Sequence, residues 1–116
     1  MKALSVRQPW AHLILSGQKD VENRSWRCSY RGPLLIHASQ RLDTFAMQQL
    51  PVDHEPLVRG AILGMVTLTD VVDWSPSPWF EGPYGWVFER PRLLVPLLWH
   101  GSLSFFEVPE RLLRFA

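Results

Sequence analysis

The alternation of polar and apolar positions changes period several times along this chain. In "MKALSVRQ" (1–8), Leu4 and Val6 fall on one side and Ala3, Ser5 and Arg7 on the other, which predicts a strand. Helix signals follow at once. Pro9 stands where a first helical residue would be, with φ already set and no N–H needed there. "PWAHLILS" is short and apolar, and Gly17 suits the position just past a helix end. The next stretch, "SGQKDVENRSW" (16–26), should be a strand, yet neither face is apolar. Val21, Asn23 and Ser25 would point one way; Glu22, Arg24 and Trp26 would point the other. "RSWRCSYRGP" then reads as a polar turn and "PLLIHAS" as a buried strand.

"RLDTFAMQQL" puts Leu42, Phe45, Ala46 and Leu50 on one predicted helical face, and "PVDHEPL" reads as a loop. "GAILGMVTLTDVVDW" is the longest strand candidate, with Gly64 marking a bulge or a close backbone approach. After the loop "SPSPWFEGPYG", "YGWVFERP" sets Tyr84, Trp86 and Phe88 on one strand face. Pro91 and Pro96 confine any pairing of "RPRLLVPLL" to an edge. "SLSFFEV" predicts a short last strand and "PERLLRFA" a single helical turn. Two short early helices and then mostly strands indicate an α+β fold, a curved antiparallel sheet or small barrel in one domain over 1–116. No repeat, low-complexity tract or linker interrupts it.

Composition adds little until charge is mapped by position. The net charge of +1 gives no global electrostatic footprint for nucleic acid. Residues 1–32, however, hold six bases (Lys2, Arg7, Lys19, Arg24, Arg27, Arg31) against Asp20 and Glu22, a local +4. The single cysteine, Cys28, allows no internal disulfide, and no apolar run reaches membrane-spanning or signal-peptide form. The expectation is a cytoplasmic protein that contacts no membrane and has no obligate protein partner.

Most chemistry signatures are missing. The glycines are too scattered for a phosphate loop, the four histidines are isolated, one cysteine cannot build a structural zinc site, and no Gly-x-Ser-x-Gly occurs. No metal or cofactor is expected. What remains is Lys19, Glu22 and Arg24. Glu22 and Arg24 leave the same strand face about 7 Å apart, and Lys19 can swing over it from the turn after Gly17. Such a trio can bind a phosphate and a base edge, supply acid–base groups, or form an ordinary surface ion pair. His37, on an apolar strand, is either a hydrogen-bonded core residue or a cleft residue, the latter if strands 20–26 and 33–38 pair. Arg7 and Gln8 sit at a helix N-terminus, a place for an anion or for a solvated charge. Trp10, Trp74 and Trp86 read as core, whereas Trp79 and Tyr84 flank a loop from which they could stack on a base.

Taken together, "LSVRQPWAHLILSGQKDVENRSW", "YRGPLLIHAS", "SPSPWFEGPYGWVF" and "GSLSFF" resemble the ASCH (activating signal cointegrator homology) domain family over nearly the whole chain. Its most specific element, Gly-x-Lys-x-x-Glu-x-Arg, is met by Gly17, Lys19, Glu22 and Arg24. The resemblance implies a PUA-like fold, a small mixed or antiparallel β-barrel with two short helices flanking a cleft lined by that motif. It further implies RNA binding, with Arg7, Gln8, Lys19, Glu22, Arg24, His37, Trp79 and Tyr84 as candidate contacts to single-stranded RNA or a modified nucleoside. The alternative it implies is a hydrolase, either a ribonuclease or an amidohydrolase of N4-acylated cytidine, with Lys19, Glu22 and Arg24 as catalytic groups. The deacetylating branch carries threonine where Glu22 stands here, and its downstream acid has no clear match among Asp70, Glu81 and Glu89. A third reading is a protein-interaction domain with a structural ion pair.

Overall fold

The computed structural model describes residues 1–50 and 57–116; the loop expected at 51–57 lies, but for Leu57, outside them. Strand β1 (Lys2–Gln8) leads into helix α1 (Trp10–Leu15), then β2 (Val21–Arg24) and β3 (Gly32–Leu42). Helix α2 (Thr44–Gln49), β4 (Ala61–Val72), β5 (Tyr84–Leu98), β6 (Phe106–Glu107) and a 3-10 turn (Glu110–Leu112) complete the order. Pro9 takes the cap position just ahead of α1 rather than its first turn, a shift of one residue.

The strands form one six-stranded sheet in the order β2-β5-β4-β3-β1-β6. It is mixed: β1 and β3 run parallel, and the other pairs are antiparallel. β2 and β6 are its two edges and do not pair with each other, so the strands do not close into the expected barrel. The other topological departure concerns β2, which pairs with β5 and not with β3.

The sheet buries apolar side chains on both faces. Leu4, Val6, Leu34, Ile36, Ala38, Val66, Leu68 and Trp86 meet Ala11, Ile14 and Leu15 of α1 in the larger core. Ala3, Leu35, Ile62, Leu94 and Val108 form the smaller one on the other side. This two-sided burial is why "PLLIHAS" is continuously apolar instead of alternating. Gly64 meets both expectations at once. The β4–β5 register shifts beside it, and a Cβ there would lie 2.5 Å from the Arg92 carbonyl and 2.6 Å from Leu15. β5 runs through Pro91 and Pro96; β2 covers only its first residues, and the proline-bearing half, at the sheet edge as expected, is met there by an isolated bridge from the tail, Leu94 to Phe115.

Two packing expectations fail. Phe45 is 72% exposed, because α2 is one short turn-and-a-half that buries Ala46 and Met47 instead. Trp74 is 68% exposed, since it lies two residues past the end of β4. Trp86, by contrast, is fully buried as expected.

Candidate functional site

β6 pairs with β1 only at Lys2 and Ala3. Beyond Ala3 no strand of the described residues lies on the outer edge of β1. β2 reaches that edge with a side chain, as the Arg24 guanidinium donates from Nη2 to the Ser5 carbonyl at 2.7 Å. The gap where a barrel would close is thus a cleft of about 700 Å³. Ser5 and Arg7 of β1, Trp10 of α1, Glu22, Asn23 and Arg24 of β2, and His37 and Arg41 of β3 line it, with the 99–103 segment forming one wall.

The end of α1 sets the position of Lys19. Gly17 adopts φ 84°, and the amides of Gln18 and Lys19 both donate to the Leu13 carbonyl. The chain therefore turns sharply inward, and Lys19 is only 3% exposed. Its Nζ donates to the Val21 carbonyl and to Glu22 Oε1 at 3.0 Å, and it lies 5.3 Å from the centre of the Trp10 ring. The other oxygen of Glu22, Oε2, is 3.6 Å from Arg24 Nη2. One carboxylate is shared by two cations, each resting on an aromatic face, since Arg24 lies 6.0 Å from the Trp86 ring centre. Burial pushes the Arg24 pKa below its ordinary value, and the Glu22 charge opposes that shift. Arg24 nevertheless stays charged at neutral pH. Its Nε is buried without a hydrogen-bond partner among the described residues.

Asn23, which also borders the cleft, holds the 79–82 loop. Its Nδ2 donates to the Trp79 carbonyl at 3.0 Å, and its Oδ1 accepts from the amides of Glu81 and Gly82 at 2.8 and 3.0 Å. The polar residues of this strand therefore serve two ends, Glu22 and Arg24 at the cleft and Asn23 as a loop clamp at its border.

His37 reaches the cleft by another route than the one foreseen. β1 and β3 run parallel with Ser5 and His37 in register, which sets the two side chains next to each other. His37 Nδ1 and Ser5 Oγ are 2.9 Å apart, and Nε2 is 2.7 Å from the Trp99 carbonyl. Burial lowers the His37 pKa below 6.5; the Trp99 carbonyl acts against this and His100 adds to it.

The remaining candidates divide. Arg7 is exposed and lines the cleft. Gln8 is buried away from it, with Nε2 donating to the Val58 carbonyl and Oε1 accepting from the His12 amide. Trp79 packs edge-on against Trp10 at 6.2 Å and donates from Nε1 to the Gln18 carbonyl. Tyr84 packs against the larger core with the Arg27 guanidinium 5.0 Å from its ring centre. Neither aromatic lines the cleft. Asp70 faces Arg31 at 3.7 Å, also outside it.

Trp10, Arg41 and His100 line the cleft and were not among the candidates. The sequence carried one usable signal for Trp10, its place beside Arg7 at the strand–helix junction. Arg41 and His100 depend on chain segments far apart in sequence. The cleft cations are Arg7, Arg24 and Arg41, and among the described residues its one acidic lining residue is Glu22. Among the described residues, no group of three His, Cys, Asp or Glu side chains could hold a metal ion.

A family model described as the ASCH domain matches residues 4–94. The human and mouse proteins named activating signal cointegrator 1 are each 53% identical to this chain, over 38 and 36 residues respectively. Those segments are 33% and 31% of this chain, and the match spans only 6% of the length of either relative. In structure, the chain is similar to an ASCH protein from Zymomonas mobilis, with a TM-score of 0.63 and 17% identity over 95% of this chain and 88% of that one. A single-site variant of the same bacterial protein aligns with a TM-score of 0.62 and 17% identity, covering 94% of this chain and 90% of that one. At that identity the likeness concerns the fold.

Proposed function

From the premise that this chain belongs to the ASCH domain family, we propose that its cleft binds single-stranded RNA or a modified nucleoside. One observation carries the reading: three arginines, Arg7, Arg24 and Arg41, line one cleft whose lining acid, among the described residues, is Glu22 alone. Phosphates meet Arg7 and Arg41, and a base lies against Trp10 while its polar edge meets Arg24 and Glu22. Lys19 orients Glu22 from beneath rather than touching the ligand, because its Nζ is already taken by Glu22 and the Val21 carbonyl. The same proposal has the domain working in the cytoplasm without an obligate protein partner; no described helix is long and apolar enough to cross a membrane.

The test is fluorescence anisotropy with short labelled single-stranded RNA at low salt. Arg7→Ala and Arg41→Ala weaken binding for all sequences, and Trp10→Leu removes about 1–3 kcal/mol. Absence of binding at low salt, or binding indifferent to Arg7→Ala together with Arg41→Ala, would sink the proposal. The hydrolase reading through Lys19 as nucleophile loses support from the burial of that side chain.

A further inference from the structure

We propose that Ser5 and His37 form a nucleophile–base pair on the cleft wall, separate from the Lys19–Glu22–Arg24 cluster, that cleaves a carboxylic ester or amide carried by the bound ligand. This rests on the reading of the cleft as a ligand site.

The parallel register of β1 and β3 places the two side chains side by side, 2.9 Å apart from Ser5 Oγ to His37 Nδ1. The Trp99 carbonyl, 2.7 Å from Nε2, assigns the tautomer. A carbonyl only accepts, so Nε2 carries the hydrogen. In the neutral ring Nδ1 then bears the lone pair, and Ser5 must donate its hydroxyl proton to it. A hydroxyl, a base in hydrogen-bond reach and a third group orienting that base are what an activated serine requires. Burial holds the imidazole neutral near pH 7, so the base is ready to accept.

The surroundings fit the same use. The Ser102 amide points to Ser5 Oγ at 3.3 Å, and Arg24 is anchored on the carbonyl of Ser5 itself. The amide donor on Ser5 Oγ favours the negative charge that develops on that oxygen as its proton leaves. Any Cβ at position 101 would collide with Ser5 Oγ and the His37 ring, so the glycine lets this segment close over the pair.

In the first step Ser5 Oγ bonds to the carbonyl carbon while its proton passes to His37 Nδ1. The product of this step is a tetrahedral intermediate. Collapse breaks the bond to the alcohol or amine, which leaves with the proton from Nδ1 and an acyl ester on Ser5. Water then attacks that ester and gives its proton to Nδ1. Release of the carboxylic acid returns the proton to Ser5.

A fluorophosphonate probe, which phosphonylates an activated serine with loss of fluoride, tests this on the intact chain. Peptide mass mapping should find the label on Ser5, and Ser5→Ala should abolish it. His37→Asn should slow labelling by about a hundredfold. A second arm reads the same pair through a thiol: Ser5→Cys in a Cys28→Ser background should be alkylated by iodoacetamide at least about tenfold faster with His37 present than with His37→Asn. No label on Ser5, or equal rates with and without His37 in either arm, overturns the pair. RNA titration of the same samples separates the two readings. Labelling without RNA binding keeps this one and removes the nucleic-acid ligand, and binding without labelling does the reverse.

Discussion

Glu22 sits between Lys19 and Arg24, and both cations are largely withdrawn from water. Removing the shared carboxylate leaves two buried charges without their counter-ion. Glu22→Ala should therefore lower stability by about 3–5 kcal/mol, read by urea denaturation. A loss below about 1 kcal/mol would mean that the cluster is surface-like. His37 supplies a pH signature. Its folded pKa is depressed by burial, so the neutral ring is the form that fits. Above about 6.5 its contribution is fully present. As pH falls below that, the unfolded chain takes the proton first and stability is lost until the folded pKa is passed. Melting temperature should drop between pH 7.5 and 5, and His37→Gln should flatten that drop.

Individual elements depend on a few contacts that their own propensities do not supply. α2 has six residues, too few to persist alone. Asp43 caps it by accepting from the Ala46 amide at 3.0 Å, and also accepts from Trp10 Nε1 at 2.9 Å. These hydrogen bonds hold the Asp43 carboxyl below its ordinary pKa. Asp43→Ala should cost about 1–2 kcal/mol in chemical denaturation and loosen Trp10, visible as a shift in tryptophan fluorescence. Gly64 is the corresponding point in β4. With the Arg92 carbonyl and Leu15 at 2.5–2.6 Å from any added Cβ, Gly64→Ala should cost about 1–3 kcal/mol, again by urea denaturation. The helix and strand positions themselves were largely legible in the chain, because period and punctuation by Gly17, Pro9 and Gly64 are local. The buried face of α2 was not legible, since a six-residue helix turns too few times for spacing to choose a side.

At the scale of the whole molecule the open sheet matters most. Because β6 stops after two residues, the β1 edge faces β2 across a cleft, and arginines from β1, β2 and β3 meet there. With Arg7 and Arg41 on phosphates, the slope of log affinity against log salt for single-stranded RNA should be about −1.4, and Arg41→Ala should make it shallower by about 0.7. A slope near zero would mean that binding, if any, does not use the phosphates.

The sequence alone determined the α+β class, the run of elements, the edge position of the proline-bearing half of β5 and the family resemblance of the Gly17–Arg24 motif. Each of these is written in spacing a few residues long. It also marked Glu22 and Arg24 as sharing a face, because alternation along a strand is a local rule. Only the tertiary structure decided that β2 pairs with β5, that the sheet stays open, and that Lys19 points inward while Arg41 and His100 reach the cleft. It likewise put Gln8, Trp79 and Tyr84 elsewhere and set Ser5 beside His37. Those outcomes follow from register and sheet order between segments tens of residues apart, and burial on both sheet faces masks the pattern from which a single strand would reveal its neighbours.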